Sequence, residues 1–301
     1  MQTIKKKNVV ITGVLGQDGQ ILSNILIKKK YNVIGIIKKV PKRKKNKIKF
    51  KKINLLNYNE LSKFLDNCNL DSLIHLGTEN PNHLELKKKI DFYKNNLTAT
   101  KNLIDYFSKK QKDKRLILIG SSQMYGNKIK RVNLNSKFKP TNSYAKFRVE
   151  AYNYMLKSKK KYKSNIITAI LFNHDSIYRK KKFLIPRLVK IIKKNQIKKL
   201  KSIYKENISG DFSHAEDICN GLYKLLLLES CPDKLIFSSN KRTYINEIIH
   251  YLIKINKLKI KLNTNILKDT FTPIGNNKLT VKKLNWKRKK NIFIAAKELN
   301  K

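Results

Sequence analysis

Acidic residues are scarce in this chain: Asp and Glu number 20 against 69 Lys and Arg in 301 residues, leaving a formal charge of +49. Cysteine is scarce as well, and Cys68, Cys219 and Cys231 are odd in number and lack metal-ligand spacing. A disulfide framework and a metal site are therefore not expected, and a reduced, cytoplasmic compartment is. Long apolar runs are missing. Residues 225–228 are far too few to cross a bilayer, and the run after Lys5, Lys6 and Lys7 breaks at Gly13 and Gly16 with no small-residue cleavage site, so neither a membrane segment nor an export signal is expected.

The cationic excess is almost all Lys, spread along the whole length together with abundant Asn and Ile. Base readout and phosphate grips favour Arg forks and interleaved aromatics, yet the densest run, residues 38–52, has no aromatic before Phe50. A solvated basic surface, produced by drift in AT-rich coding sequence, is expected rather than a specific nucleic-acid partner.

Glycine numbers only ten, and three of them fall in one turn. Val9, Val10 and Ile11 read as a buried strand; Gly13, Gly16 and Gly19 follow at a three-residue spacing; Ile21, Leu22, Ile25 and Leu26 then recur at helical period. The first glycine permits a tight turn, the second lets backbone approach a pyrophosphate, and the third lets helix and strand pack closely, while the helix N-terminus offers free N–H groups. A dinucleotide site is expected there. Further strands are expected at 32–37, in a segment ending at Ile53, and at 72–76, 116–119 and 166–172, with helices around 60–65, 96–107 and 144–156. That alternation predicts an α/β fold with a Rossmann-type, doubly wound parallel sheet. Residues 1–172 read as the dinucleotide-binding domain, completed by parts of 211–240, and 173–301 mainly as a smaller substrate-binding region sharing one compact body.

Chemistry concentrates after the fifth strand. Ser121, Ser122 and Gln123 follow Gly120, and about twenty residues later Pro140-Thr141-Asn142-Ser143 leads into a helix that carries Tyr144. A hydroxyl at a strand's C-terminal end facing a Tyr can grip a sugar oxygen while hydride moves to or from its carbon. A phenol, with an ordinary pKa of about 10, needs a nearby cation to serve at neutral pH, and Arg148 stands one helical turn on. Lys38 and Lys39 follow the second strand where an NAD site would want an acid, so NADP is expected over NAD. Asn54, after the third strand, is a candidate near the adenine. His75, inside an apolar strand, reads as a core histidine, and Tyr125 and Trp286 as packing residues.

Several blocks resemble the extended short-chain dehydrogenase/reductases, within them the GDP-mannose 4,6-dehydratase family of the NAD-dependent epimerase/dehydratase superfamily. They are Thr12-Gly13-Val14-Leu15-Gly16-Gln17-Asp18-Gly19, Asn96-Leu97-Thr98-Ala99-Thr100, residues 121–126, Tyr144 with its helix, Leu171-Phe172-Asn173-His174-Asp175-Ser176, Gly210-Asp211-Phe212-Ser213-His214-Ala215-Glu216-Asp217 and Leu284-Asn285-Trp286. The resemblance implies an NADP-binding Rossmann domain in which Gly13, Gly16, Gln17, Asp18 and Gly19 line the cofactor with Tyr144 and Arg148. It also implies a nucleotide-sugar substrate met by Asn173, His174 and Arg187, a homo-oligomer, and hydride removal at sugar C4 followed by loss of water across C5 and C6. Three positions depart from the family pattern. Gln123 replaces a Glu that takes the C5 proton, Arg148 replaces a Lys, and Gly210 replaces an Arg that helps hold the nucleotide sugar. Elimination depends on the first of these. The readings left open are a dehydratase, a C4 ketoreductase or epimerase that needs no carboxylate at 123, and a noncatalytic nucleotide-sugar binder.

Overall fold

The computed structural model describes residues 6–40, 47–79, 91–262 and 265–301, so the middle of the basic loop, 41–46, lies outside the described residues. The chain begins with β1 (Asn8–Thr12), α1 (Gln17–Lys28), β2 (Asn32–Ile37), β3 (Ile48–Lys52), α2 (Tyr58–Asp66), β4 (Ser72–His75), α3 (Phe92–Lys110) and β5 (Arg115–Ser121). A short β6 (Arg131–Val132) precedes α4 (Ser143–Tyr162), β7 (Ile166–Leu171) and β8 (Asn173–Asp175). There follow α5 (Leu184–Lys193), α6 (Ile197–Lys205), β9 (Ser209–Gly210), β10 (Phe212–His214), α7 (Ala215–Leu226) and β11 (Lys234–Phe237). The chain ends through β12 (Thr243–Tyr244), α8 (Ile245–Ile255), β13 (Ile274–Gly275), α9 (Lys278–Leu284) and α10 (Ile292–Asn300).

Seven strands form one sheet in the order β3-β2-β1-β4-β5-β7-β11, every neighbouring pair parallel. This is the doubly wound Rossmann-type arrangement. A parallel sheet covered on both faces needs strands apolar on both sides, which is why Val9, Val10 and Ile11 are fully buried. Each such side chain contributes about 1.5–3 kcal/mol by leaving water. One face packs on α1 and α7 through Leu22, Leu26, Ile218 and Leu222, and the other on α2, α3 and α4 through Leu61, Leu103, Phe107 and Met155. Strand order reverses between β1 and β4, and the crevice beyond their C-terminal ends is where such sheets bind ligands.

The later elements build a separate small core of Ile185, Leu188, Phe212, Ile245, Ile249, Leu252 and Ala295 from α5, β10, α8 and α10. Two-stranded ladders β8–β10, β9–β12 and β6–β13 tie this region to the sheet's C-terminal end. Among the described residues no helix is long and apolar enough to cross a membrane. All three cysteines are free.

Candidate active site

The turn between β1 and α1 has the shape a dinucleotide pyrophosphate needs. Gly13 sits at φ +70°, and a Cβ there would lie 2.7 Å from backbone of Leu76 and Gly77. At Gly19 a Cβ would meet the Gly13 carbonyl oxygen at 2.4 Å, so helix and turn touch only because residue 19 is glycine. Gly16 N–H donates to Gly13 O at 2.9 Å and closes the turn. Gly16 is also the N-cap of α1, and no side chain caps the helix. Its first-turn N–H groups stay open toward an anion. These features fit the pyrophosphate of a nicotinamide dinucleotide.

The side chains of Gln17 and Asp18 turn elsewhere. Gln17 Nε2 donates to the His174 carbonyl at 3.2 Å and its Oε1 accepts from Ser176 Oγ at 3.1 Å. Both carboxylate oxygens of Asp18 lie 3.0 Å from His174 Nε2, while His174 Nδ1 bonds the Phe172 carbonyl at 2.6 Å. Burial opposes charge on this imidazole, yet the charge and hydrogen bond of Asp18 outweigh it and raise its pKa; burial likewise opposes charge on Asp18, whose pKa is lowered by His174 and Arg179. Arg179 Nε stands 3.2 Å from Asp175 Oδ1, completing a group of two acids and two bases. A carboxylate in the first turn of α1 would repel a pyrophosphate, and this pairing cancels its charge. His174 is thereby spent on bracing α1 to β8.

Beside the turn, Lys38 and Lys39 are exposed after β2, with Lys38 Nζ 3.5 Å from Glu79. Asn54 is exposed too, its Oδ1 accepting from Leu56 N at 3.1 Å and its own N–H donating to Glu60. Its side-chain nitrogen makes no bond among the described residues.

Tyr144 and Arg148 meet where β5 ends. Tyr144 packs between Phe92 and Phe147, and Arg148 Nη2 donates to its hydroxyl at 3.2 Å. The same nitrogen donates to Thr78 Oγ1, and Nη1 to the Ile119 carbonyl. Arg148 is only 6 % exposed. Lys146, by contrast, faces solvent. Ser121 Oγ accepts from Gln123 N at 3.3 Å, and Ser122 is buried. Gln123 Oε1 accepts from Asn142 Nδ2 at 3.0 Å, and Asn142 caps α4 by accepting from Ala145 N at 2.9 Å. Thr78 and Asn142 went unread in the sequence as site residues.

A buried chain of bonds holds the loop that carries Thr78. Gly77 N donates to Thr12 Oγ1 at 2.8 Å; Thr12 is 2.8 Å from His75 Nδ1; His75 Nε2 is 3.1 Å from Thr100 Oγ1; and Thr100 donates to Asn96 O at 2.7 Å. Because the Thr100 proton goes to Asn96, His75 must donate from Nε2 and accept at Nδ1. Burial, aided by the Arg148 charge, lowers its pKa to about 3, so it is a neutral core histidine.

On the substrate side, Asn173 Nδ2 reaches Thr272 Oγ1 at 3.4 Å, and Arg187 is exposed on the first turn of α5. Thr272 also fills the space beside Gly210, where a Cβ would stand 2.1 Å from its Oγ1. A larger residue at 210 would need Thr272 to move. Just before the strand paired with Gly210, Arg242 donates to Ser209 Oγ at 2.8 Å and stacks 5.7 Å from the Phe271 ring centroid. The rest of that block is a clamp: Asp211 accepts from the N–H groups of Ser239, Asn240 and Gly275, and Asp217 accepts from those of Lys289 and Lys290 through Oδ2 and from Trp286 Nε1 through its carbonyl.

Comparison with known proteins agrees with this geometry. A GDP-mannose 4,6-dehydratase from Caenorhabditis elegans is 24% identical over 267 residues, spanning 81% of this chain and 69% of that protein. Among solved structures, dTDP-glucose 4,6-dehydratase from Bacillus anthracis in complex with NAD superposes with a TM-score of 0.81 at 17% identity, covering 98% of this chain and 95% of that one. RMD from Pseudomonas aeruginosa complexed with NADPH gives 0.76 at 18% identity, covering 98% and 96%. Since the GDP-mannose 4,6-dehydratase family model matches residues 10–293, nearly the whole length over which these elements run, the chain belongs to that family of the NAD-dependent epimerase/dehydratase superfamily.

Proposed function

We propose that this chain is an NADP-dependent enzyme acting at C4 of a nucleotide-activated hexose, by the oxidoreduction of an epimerase or ketoreductase rather than by the elimination of a dehydratase. The observation that carries the reading is Tyr144, with Arg148 bonded to its hydroxyl and Ser121 at the adjoining strand end, beside the uncapped N-terminus of α1. A nicotinamide held there supplies a hydride acceptor or donor. Tyr144 Oη takes or returns the proton of the C4 oxygen, Arg148 stabilises the phenolate with a charge that pH does not remove, and Ser121 steadies the same oxygen.

Gln123 supports oxidoreduction over elimination, because an amide is no base at neutral pH and its oxygen is already bonded to Asn142. Lys38 and Lys39, with no acid at the end of β2, support NADP. Asn173, at the start of β8, and the exposed Arg187 support a nucleotide-sugar substrate, and RMD, a neighbour of the same fold, is complexed with NADPH. The test is incubation with NADP(H), NAD(H) and a panel of nucleotide sugars, followed by chromatographic separation of epimers and mass analysis of the products. A product of unchanged mass, or one gaining a hydride and a proton, is expected; a product that has lost water would restore the dehydratase reading, and the absence of any product across the panel would leave a binder.

A further inference from the structure

Three side chains at the end of β5 and the start of α4 each have an acceptor atom occupied by a donor of the protein itself. Ser121 Oγ accepts from Gln123 N at 3.3 Å, Gln123 Oε1 from Asn142 Nδ2 at 3.0 Å, and the Tyr144 hydroxyl from Arg148 Nη2 at 3.2 Å. Each also keeps hydrogen to donate to a ligand, from the two hydroxyls and from Gln123 Nε2.

The orientation of the Gln123 amide is fixed by its neighbour. Asn142 Oδ1 is the N-cap of α4 and accepts from the backbone N–H of Ala145, which can only donate. Asn142 therefore offers Nδ2, and Gln123 must answer with its oxygen. Its Nε2 then carries two N–H groups with no partner among the described residues, and the side chain is only part-buried, so a ligand reaches them. Asn142 stands two residues before Tyr144, so the turn that carries Gln123 is bonded to the start of the helix that carries the phenol.

Charge adds a second observation. Arg148 is 6 % exposed, and among the described residues neither it nor Ser121, Gln123, Asn142 or Tyr144 bonds to an Asp or Glu side chain. While Tyr144 is protonated, a buried guanidinium bonded to no carboxylate among the described residues leaves the site cationic. We propose that Gln123, oriented by Asn142, is a specificity residue for a carboxylate carried next to the carbon on which Tyr144 acts, so that the preferred substrate is a nucleotide-activated uronate rather than the corresponding neutral hexose. The proposal rests on reading the chain as a nucleotide-sugar enzyme. A carboxylate takes charge-assisted bonds from N–H donors, roughly twice as strong as the neutral bonds a hydroxymethyl group takes from the same donors. A uronate also has no C6 hydroxyl to eliminate, which removes the need for a base at 123.

Titration calorimetry with NADP⁺-saturated protein compares matched pairs that differ only at C6: UDP-glucose with UDP-glucuronate and GDP-mannose with GDP-mannuronate. In the pair that binds, the uronate is expected to be at least about tenfold tighter, the usual effect of a hydrogen bond to a charged group. Gln123→Glu should cancel or invert that ratio by like-charge repulsion. Asn142→Asp keeps the helix cap but removes the donor that orients the amide, and should bring the ratio near parity without altering position 123. Equal or weaker uronate binding by the wild type would overturn the proposal while leaving the nucleotide-sugar reading intact, and a preference surviving both variants would overturn it by assigning the carboxylate to other groups. Binding of neither member of either pair would overturn both readings together.

Discussion

Arg148 donates through Nη2 to both Tyr144 and Thr78 while its Nη1 holds the carbonyl of Ile119, so one guanidinium joins the end of β5, the loop after β4 and the first turn of α4. A planar fork with several fixed donors makes these contacts together. A lysine ammonium is a single point on a flexible stem and leaves at least one of the buried oxygens unmet.

Arg148→Lys is therefore expected to lower kcat by about tenfold or more, consistent with losing one or two charge-assisted hydrogen bonds, with cofactor affinity changed much less. Steady-state kinetics beside a cofactor titration decide this. A rise in activity would mean that the guanidinium is a drifted form of the family's lysine and that the Ile119 and Thr78 contacts are incidental.

Tyr144→Phe keeps the aromatic packing, since Phe92 lies 6.4 Å and Phe147 5.4 Å from the Tyr144 ring centroid and neither contact needs the hydroxyl. Only the proton donor goes. Turnover should fall by about 10²–10⁴-fold, the usual cost of a lost general acid or base, with NADPH binding nearly unchanged. Wild-type turnover in this variant would transfer the role to another residue.

Cofactor preference follows from Lys38 and Lys39, whose exposed ammonium groups can trade the contact with Glu79, 3.5 Å away, for a ribose 2′-phosphate. NADPH should bind about tenfold tighter than NADH, consistent with one charge-assisted contact, and the ratio should approach one in a Lys38→Ala, Lys39→Ala double variant. Gly16→Val should abolish binding of both cofactors, because a branched side chain would stand where the pyrophosphate approaches and even a Cβ there lies 3.2 Å from Gly13 O. Fluorescence titration reads both outcomes, and equal affinities in the wild type would refute the NADP assignment.

The pair His174–Asp18 makes stability depend on pH with a definite sign. The raised folded pKa of His174 contributes stability that is complete below the unfolded value of about 6.5 and is lost as pH rises through the folded value. The lowered folded pKa of Asp18 contributes stability present above about 3.9 and lost as pH falls through its folded value. Together they stabilise most between about pH 4 and 6.5. His174→Gln, which leaves Asp18 and Asp175 facing Arg179 alone, should cost about 3 kcal/mol in that window and less at alkaline pH. Urea unfolding midpoints measured across pH would show a constant cost if the pair were not ionised.

The sheet was legible because buried parallel strands are apolar runs: the segments read at 32–37 and 166–172 are β2 and β7 to within one residue, and the third strand ends at Lys52 rather than Ile53. Strands β9, β12 and β13, two residues each, carry no periodicity and could not be read. Site residues divided along similar lines. Tyr144 and Arg148 are one helical turn apart and visible locally, whereas Thr78 acquires meaning only through Arg148, 70 residues later, and Asp18 through His174, 156 residues later. Asn142 read as the start of a helix, and its second bond, to Gln123, is a tertiary fact.

That bond bears on the most telling substitution. Gln123→Glu would let one carboxylate oxygen accept from Asn142 Nδ2 as the amide oxygen does now, at 3.0 Å in the present structure, and leave the other free to take a proton. The new base would be held in place without rebuilding the loop, because Asn142 is itself fixed by capping Ala145 N. In the wild type none of the described residues bonded at this site is a comparable base. Tyr144 serves the C4 oxygen, Ser121 and Ser122 have no His or acidic neighbour among their described bonds, and His174 is bonded to Asp18 and the Phe172 carbonyl. Wild-type dehydration of GDP-mannose should therefore be slow or absent, and Gln123→Glu should raise it by about 10²-fold or more, the scale on which a positioned general base acts. Mass analysis of the sugar product after incubation with NADP⁺ measures this directly. Rapid formation of a 4-keto-6-deoxy product by the wild type would show that another group takes the C5 proton, and would make elimination the function of the site despite the amide at position 123.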